Sequence, residues 1–256
     1  MTDATEPTQP AQPTQPTQPE PTQPTRVQIA VEGGELPAYL WAPASGASDA
    51  PGIVLVQEIF GVSGYMRRRA QDLANAGYAV LVPVVFWRLG VEAVEDGPTM
   101  LDEGIGLVST LDWPTAVADV TAAVAWLGEQ PGVDGRVALV GFCFGGGLGY
   151  QVASGCEPAA LVSFYGSALP GLVDTVPVVQ APSLHHFGSA DAFIDPATVE
   201  HIRGVVQTNP ECEFHLYEGA NHAFDNDDFV MFHAEASALA WERTLEFLAR
   251  RLPVQS

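Results

Sequence analysis

From residue 26 onward, short apolar runs alternate with longer stretches that have helical spacing. The segments Arg26–Val31 and Leu36–Trp41 flank a Gly-Gly pair and predict a β-hairpin. Later runs rich in Val, Leu and Ile predict six buried strands, at Gly52–Gln57, Ala79–Pro83, Arg136–Gly141, Ala159–Phe164, Leu184–Gly188 and Glu213–Tyr217. Helical spacing predicts a helix of small residues directly after the third of these strands and others at Tyr65–Ala76, Pro114–Gly128, Pro196–Val206 and Phe232–Arg251. Buried strands that alternate with helices indicate one α/β domain over residues 26–256, with a mostly parallel sheet covered on both faces.

The first 25 residues have a different composition. The triplet Thr-Gln-Pro recurs there, and a proline at every third position is typical of polyproline II. The segment offers almost no apolar side chain to a core, so we expect an extended, inert tail. Docking to a proline-binding groove is the alternative, but no arginine accompanies the prolines of this segment.

The charge of the chain restricts its partners. It contains ten arginines, no lysine and 31 acidic residues, for a formal net charge of −21 at pH 7. A polyanion repels the phosphates of nucleic acid and of anionic lipid, so neither nucleic acid nor a membrane is an expected partner. Apolar residues make up 47% of the sequence, which is enough for a sizeable core and excludes disorder of the whole chain.

Targeting and metal signals are not found in the sequence. No apolar run approaches the roughly 18–20 residues that cross a bilayer, and the N-terminus lacks the regions of a signal peptide. We therefore expect a cytoplasmic protein. Three cysteines without zinc-site spacing predict neither a disulfide framework nor a metal site, and no organic cofactor is expected either.

A Gly-Phe-Cys-Phe-Gly motif at 141–145 follows one predicted strand and opens a predicted helix. A nucleophile at such a strained corner needs small residues two positions before and after it, and Gly141 and Gly145 meet this need. The helix N-terminus favours the thiolate of Cys143, and the backbone N–H of Phe144 can donate to an oxyanion. An inert cysteine before a closely packed helix is the alternative. The other two cysteines lack this setting and are expected to serve packing only.

A cysteine nucleophile requires a histidine, and the histidine requires a carboxylate. His222 lies in a loop of small residues after a predicted strand, and Asp191 also follows a strand. Asp195 is close by, but the proline after it indicates a helix N-cap. The other five histidines lie on strand or helix faces, where core or surface roles are expected. The chain order Cys143, Asp191, His222 is that of the α/β-hydrolase fold.

Glu58 stands just after the apolar run Ile53–Val56, at the carboxyl end of a predicted central strand. A carboxylate held there is partly desolvated, so we expect its pKa to be raised and the group to be able to act as a base. A loop glutamate that faces solvent is the alternative. The backbone N–H of Ile59 is the expected second oxyanion donor, opposite that of Phe144.

At these residues the sequence resembles the dienelactone hydrolase (carboxymethylenebutenolidase) family of the α/β-hydrolase fold. The resemblance extends over residues 26–256 and is most specific at Gly-Phe-Cys-Phe-Gly-Gly (141–146) and Gln-Glu-Ile-Phe-Gly (57–61). It implies a catalytic triad of Cys143, His222 and Asp191. It also implies that Glu58 pairs with the nucleophile and helps to deprotonate it when substrate arrives.

The resemblance further implies an anionic lactone whose carboxylate is bound by arginines. Arg88 matches one of them, although a surface ion pair is an equally simple interpretation of this residue. The family's second arginine is replaced by Asn226, next to Asp225, so a carboxylate is held more weakly or the substrate differs. The three arginines at 67–69 are expected to lie on a solvated helix face.

These observations predict a hydrolase of small lactones or esters, foremost a dienelactone, that works through an acyl-cysteine intermediate. A monomer or small homo-oligomer is expected. One alternative is a general carboxylesterase or thioesterase that acts on neutral substrates. The other is a non-catalytic thiol sensor on the same fold, which would have no need of the aspartate, histidine and glutamate together.

Overall fold

The structure is a computed structural model and describes residues 23–255. Residues 1–22 of the predicted tail lie outside the described residues. The first strand, β1 (Thr25–Val31), begins at the last residue of the predicted tail.

Among the described residues, eight strands form one sheet. In chain order they are β1 (Thr25–Val31), β2 (Gly34–Trp41), β3 (Ala50–Val56), β4 (Ala79–Pro83), β5 (Val133–Phe142), β6 (Leu161–Phe164), β7 (Ser183–Gly188) and β8 (Cys212–Tyr217). Their order across the sheet is β1-β2-β4-β3-β5-β6-β7-β8. β1 and β2 form the predicted hairpin, β2 also pairs antiparallel with β4, and all later pairings are parallel. The predicted α/β fold with a mostly parallel sheet is confirmed.

Seven α-helices and one short 3-10 helix (Trp87–Leu89) connect and follow the strands in the described part of the chain. In chain order the α-helices are α1 (Gly64–Asn75), α2 (Met100–Thr110), α3 (Trp113–Gly128), α4 (Phe144–Gly155), α5 (Leu169–Leu172), α6 (Pro196–Val206) and α7 (Ala234–Arg251). The sequence pattern predicted all of them except α2 and the short α5. Within residues 23–255, no helix is both long and apolar enough to span a membrane.

The central strands are apolar because water reaches neither face of the sheet. Every residue of β3, β4, β6 and β7 is buried. Val, Ile and Leu are suited to such strands, because their side chains pack well on a pleated surface. The edge strand β8 is half-buried over most of its length.

Strand register brings the candidate residues to one edge of the sheet. Val56 of β3 pairs with Gly141 of β5, so Glu58 and Cys143 each lie two residues beyond a paired position. The last parallel pair of the sheet, β7 and β8, ends at Gly188 and Tyr217, just before the Asp191 and His222 loops. Ligands of parallel α/β sheets bind at this carboxyl edge.

Candidate active site

Cys143 lies at the sharp turn between β5 and α4. Its φ of 52° and ψ of −116° place a non-glycine residue in a strained conformation. A Cβ on Gly145 would stand 2.3 Å from the carbonyl oxygen of Val56, and one on Gly141 would stand 2.1 Å from the carbonyl oxygen of Gly145. Only glycine fits at these two positions, because backbone atoms occupy the space of a side chain.

The structure brings Cys143, His222 and Asp191 together. The Nε2 atom of His222 is 3.1 Å from the Sγ atom of Cys143, and its Nδ1 atom is 2.8 Å from Oδ2 of Asp191. All three side chains are buried. The arrangement of nucleophile, base and orienting carboxylate is that of a catalytic triad.

Backbone groups fix the orientation of the Asp191 carboxylate. Oδ1 of Asp191 accepts hydrogen bonds from the N–H groups of Phe193 and Ile194, at 2.8 and 3.0 Å. The side-chain oxygen of Asn221 accepts from the N–H groups of Ala192 and His222, at 2.8 and 2.7 Å, and so ties the two loops together. Asp195 instead caps α6, as predicted, by accepting from the first-turn N–H groups of that helix.

The pKa of His222 is raised to about 10. Burial by itself lowers it, but the negative charge of the Cys143 thiolate and the hydrogen bond to Asp191 outweigh that effect. A protonated imidazole 3.1 Å from the sulfur can stabilise a negative charge on that atom.

Glu58 is buried at the end of β3, with 1% of its surface exposed. Burial raises its pKa to about 8, while a hydrogen bond from Asn226 acts in the opposite direction. The Nδ2 atom of Asn226 donates to Oε1 of Glu58 at 2.9 Å, and the Asn226 side-chain oxygen accepts from the N–H of Asp228. The amide orientation is therefore fixed by a partner on each side. A group with this pKa is mostly protonated at pH 7 and is then a poor acceptor for a thiol proton.

Two backbone N–H groups lie where oxyanion donors are expected. Phe144 is the first residue of α4, directly after Cys143, and its N–H belongs to the free N-terminus of that helix. Ile59 follows Glu58 and lines the same pocket as Cys143. Within residues 23–255, neither of these N–H groups has a backbone hydrogen-bond acceptor outside the regular helices and strands.

Arg88 lies away from this group. Its guanidinium makes two hydrogen bonds to Asp119 of α3, at 3.1 and 2.9 Å, and one to the backbone oxygen of Glu32 at 2.7 Å. It does not line the pocket that contains the sulfur. The expectation that Arg88 binds a substrate carboxylate is therefore corrected: a bidentate contact with a buried aspartate holds it elsewhere.

The pocket above the sulfur has a volume of about 300 Å³ and a largely apolar wall. Helix α2 supplies much of that wall, through Leu101, Ile105 and Val108. Sequence analysis missed this helix, although the spacing of these three residues is helical and could have revealed it. The remaining lining residues are Glu58, Ile59, Phe60, Ser109, Cys143, Ser167, Phe193, His222, Ala223 and Phe229.

A buried ion pair anchors the loop that contains His222. Nε and Nη2 of Arg69 on α1 donate to the two carboxylate oxygens of Asp225, each at 2.8 Å. Tyr65 and Ser237 donate to the same carboxylate. Arg69 is thus no part of a solvated helix face, contrary to expectation. Asp225 was expected to add negative charge to the site, and Arg69 is its counter-ion.

Replacing Arg69 with leucine is expected to lower the free energy of unfolding by about 3 kcal/mol, because Asp225 would stay buried without its cation. Urea denaturation at pH 7 measures this. The matched control is Arg67→Leu on the same helix, where the partner is Glu92 and both side chains are more than one-third exposed. That change is expected to cost under about 1 kcal/mol. Equal losses in the two variants would contradict the role of the ion pair.

The remaining histidines and cysteines lie outside the site. His186 hydrogen-bonds to Tyr217 and Thr244 in the core. His185 is equally buried, which lowers its pKa to about 4, and its ring has no hydrogen-bond partner among the described residues, unlike a satisfied core histidine. Neither Cys156 nor Cys212 lines the pocket. Across residues 23–255, no cluster of three or more His, Cys, Asp or Glu side chains could hold a metal ion.

Comparison with known proteins decides the family. The family model described as "Dienelactone hydrolase family" matches residues 36–252. The chain belongs to the dienelactone hydrolase family. A carboxymethylenebutenolidase of Pseudomonas sp. (strain P51) is 33% identical over 224 residues, which cover 87% of this chain and 93% of that protein. A carboxymethylenebutenolidase of Pseudomonas putida is 34% identical over 227 residues, covering 88% and 94%.

Solved structures agree with this assignment. A Klebsiella pneumoniae protein assigned to the dienelactone hydrolases superposes with a TM-score of 0.75 at 28% identity, covering 89% of this chain and 98% of that one. The dienelactone hydrolase-like promiscuous phosphotriesterase P91 has a TM-score of 0.74 at 23% identity, covering 90% and 98%, and supports the fold alone. This member of the family is an enzyme that hydrolyses esters.

Proposed function

We propose that the protein hydrolyses small esters and lactones with Cys143 as the nucleophile. The observation that supports this most directly is the pair of hydrogen-bond contacts that His222 makes, to Sγ of Cys143 at 3.1 Å and to Asp191 at 2.8 Å. Ile59 and Phe144 are the proposed oxyanion donors. The dienelactone inferred from the resemblance remains the first lactone to test.

In the acylation step the thiolate of Cys143 attacks the acyl carbon and forms a C–S bond. The N–H groups of Ile59 and Phe144 stabilise the oxyanion of the tetrahedral intermediate, an interaction aimed at the transition state. When the intermediate collapses, the C–O bond to the leaving group breaks. The imidazolium of His222 gives its Nε2 proton to the departing oxygen, which in a lactone stays attached to the acyl group.

In the second step water hydrolyses the thioester. Nε2 of His222 takes a proton from the attacking water, and the new imidazolium is stabilised by Asp191. The second tetrahedral intermediate collapses with cleavage of the C–S bond. The acid is released, and the thiolate–imidazolium pair is restored. Because Glu58 is mostly protonated at neutral pH, we assign the removal of the thiol proton to His222.

Alkylation with iodoacetamide tests the nucleophile in the unaltered protein. We expect the hydrolysis of p-nitrophenyl acetate to be lost in parallel with the alkylation of Cys143. Peptide mass mapping measures the extent of alkylation at each cysteine. Burial raises the pKa of the Cys156 and Cys212 thiols, so both should react more slowly. A Cys156→Ser/Cys212→Ser double variant, in which Cys143 is the sole target, should behave like the original protein. Hydrolysis that persists after complete alkylation of Cys143 would exclude the proposed mechanism.

A second substrate class has structural support. The carboxylate of an anionic lactone would need a cation, and the arginine expected for that purpose is bound to Asp119. An uncharged ester needs no such partner and fits an apolar pocket of about 300 Å³.

A further inference from the structure

Glu58 has the surroundings of a neutral carboxylic acid. Its carboxyl group is buried and receives one side-chain hydrogen bond, from the amide of Asn226. Two oxygens of a buried carboxylate need more donors than that, so the charged form is poorly compensated. The charge of His222 favours the carboxylate form and the charges of Asp225 and Asp228 disfavour it, but burial is the largest effect and favours the neutral acid. With Oε1 engaged by the amide, the proton of the neutral form is best placed on Oε2.

Arg68 lines an adjoining pocket together with Glu58 and Asn226, but its guanidinium pairs with the carboxylates of Asp227 and Asp228. The chain has no lysine, and none of its ten arginines lines the pocket above Cys143. Nine of them pair with acidic side chains and the tenth, Arg243, lies over the ring of Tyr217. The nine are Arg26, Arg67, Arg68, Arg69, Arg88, Arg136, Arg203, Arg250 and Arg251.

The electrostatic field of the whole protein also disfavours an anionic substrate. A formal net charge of −21 repels anions at long range and lowers the rate at which they arrive. A carboxylate that does enter would exchange water for a largely apolar wall, where the imidazolium of His222 already faces the sulfur of Cys143. An uncharged acyl group loses little in that exchange, and its oxygen atoms can accept a hydrogen bond from neutral Glu58.

We propose that the Glu58–Asn226 pair makes this site selective for uncharged esters and lactones, with Asn226 as the residue that determines this specificity. The proposal rests on the function proposed above and names its substrate class. Asn226 is a positioning residue, since it acts by holding Glu58 with a neutral amide in place of a cation.

Two esters that differ only in charge provide the test. They are mono-p-nitrophenyl adipate, which bears a free carboxylate, and its methyl ester. At low salt, we expect kcat/KM of the unaltered protein to be roughly 30-fold or more higher for the methyl ester. Added NaCl should narrow this difference, because it screens the repulsion of the anionic ester, and should leave the neutral ester unaffected.

Asn226→Arg adds a cation beside Glu58 and is expected to shift the preference toward the anionic ester about tenfold or more. Asn75→Arg is the control, because it adds the same charge at an exposed position on α1 and should leave the ratio unchanged. Asn226→Asp, which has the same size and adds no cation, should not shift the ratio toward the anion.

The outcomes separate the two proposals. If the anionic ester is hydrolysed as well as the neutral one by the unaltered protein, the specificity proposal is wrong while the hydrolase function stands. If neither ester is hydrolysed, the proposed function itself fails. The comparison of the two esters in the unaltered protein decides the charge selectivity even where Asn226→Arg does not fold. Equal shifts of the ratio from Asn226→Arg and Asn75→Arg would show that Asn226 does not determine the specificity.

Discussion

Replacing Cys143 with alanine is expected to lower kcat/KM for p-nitrophenyl acetate by about 10⁴-fold or more. Without the sulfur no acyl intermediate can form, and the remaining hydrogen-bond donors can act only on direct attack by water. The pocket and backbone should change little, because alanine occupies less space than cysteine. Steady-state assay together with circular dichroism measures the effect and verifies the fold.

The matched control for this variant is Cys212→Ala. Cys212 lies on the edge strand β8, outside the pocket, so its loss should leave turnover within about twofold. Cys143→Ser tests whether the site requires a thiolate, because a serine hydroxyl is far less acidic than a thiol. Undiminished turnover in folded Cys143→Ala would refute the assignment of the nucleophile.

Gly145→Ala is expected to destabilise the protein by about 4 kcal/mol or more. The added Cβ would stand 2.3 Å from the carbonyl oxygen of Val56 and 2.4 Å from that of Gln57. Both are backbone atoms, so no rotamer change can relieve the clash, and β3 and α4 would have to separate. Thermal and urea denaturation measure the loss.

Gly149→Ala provides the control within the same helix. A Cβ there would meet Cδ1 of Leu161 at 3.6 Å, an ordinary van der Waals contact. Alanine is favoured over glycine in helices, so this variant should be more stable by up to about 1 kcal/mol. The two substitutions add the same methyl group, and similar stability in both would show that close backbone approach at residue 145 does not constrain the turn.

Part of the site could be predicted because its chemistry requires particular residues at neighbouring positions in the sequence. The glycines around Cys143 indicate a turn that admits no other residue at their positions, and the loop of small residues that contains His222 follows a strand end. The sequence position of Arg88 was misleading, because a residue just after β4 is well placed for a loop over the site. Its partner, Asp119, is 31 residues further along the chain, and no local pattern connects the two.

By itself, the sequence determined the alternation of strands and helices, the parallel sheet, the strained turn and the chain order of the proposed triad residues Cys143, Asp191 and His222. These properties depend on the spacing of residue types along the chain, which the sequence contains directly. Only the tertiary structure decided the partners of Arg69, Arg88 and Glu58. Side-chain pairs form between segments far apart in sequence, and ten arginines among 31 acids allow many pairings that the fold reduces to one set. The charge of the pocket depends on that choice, and so does the substrate that we propose it accepts.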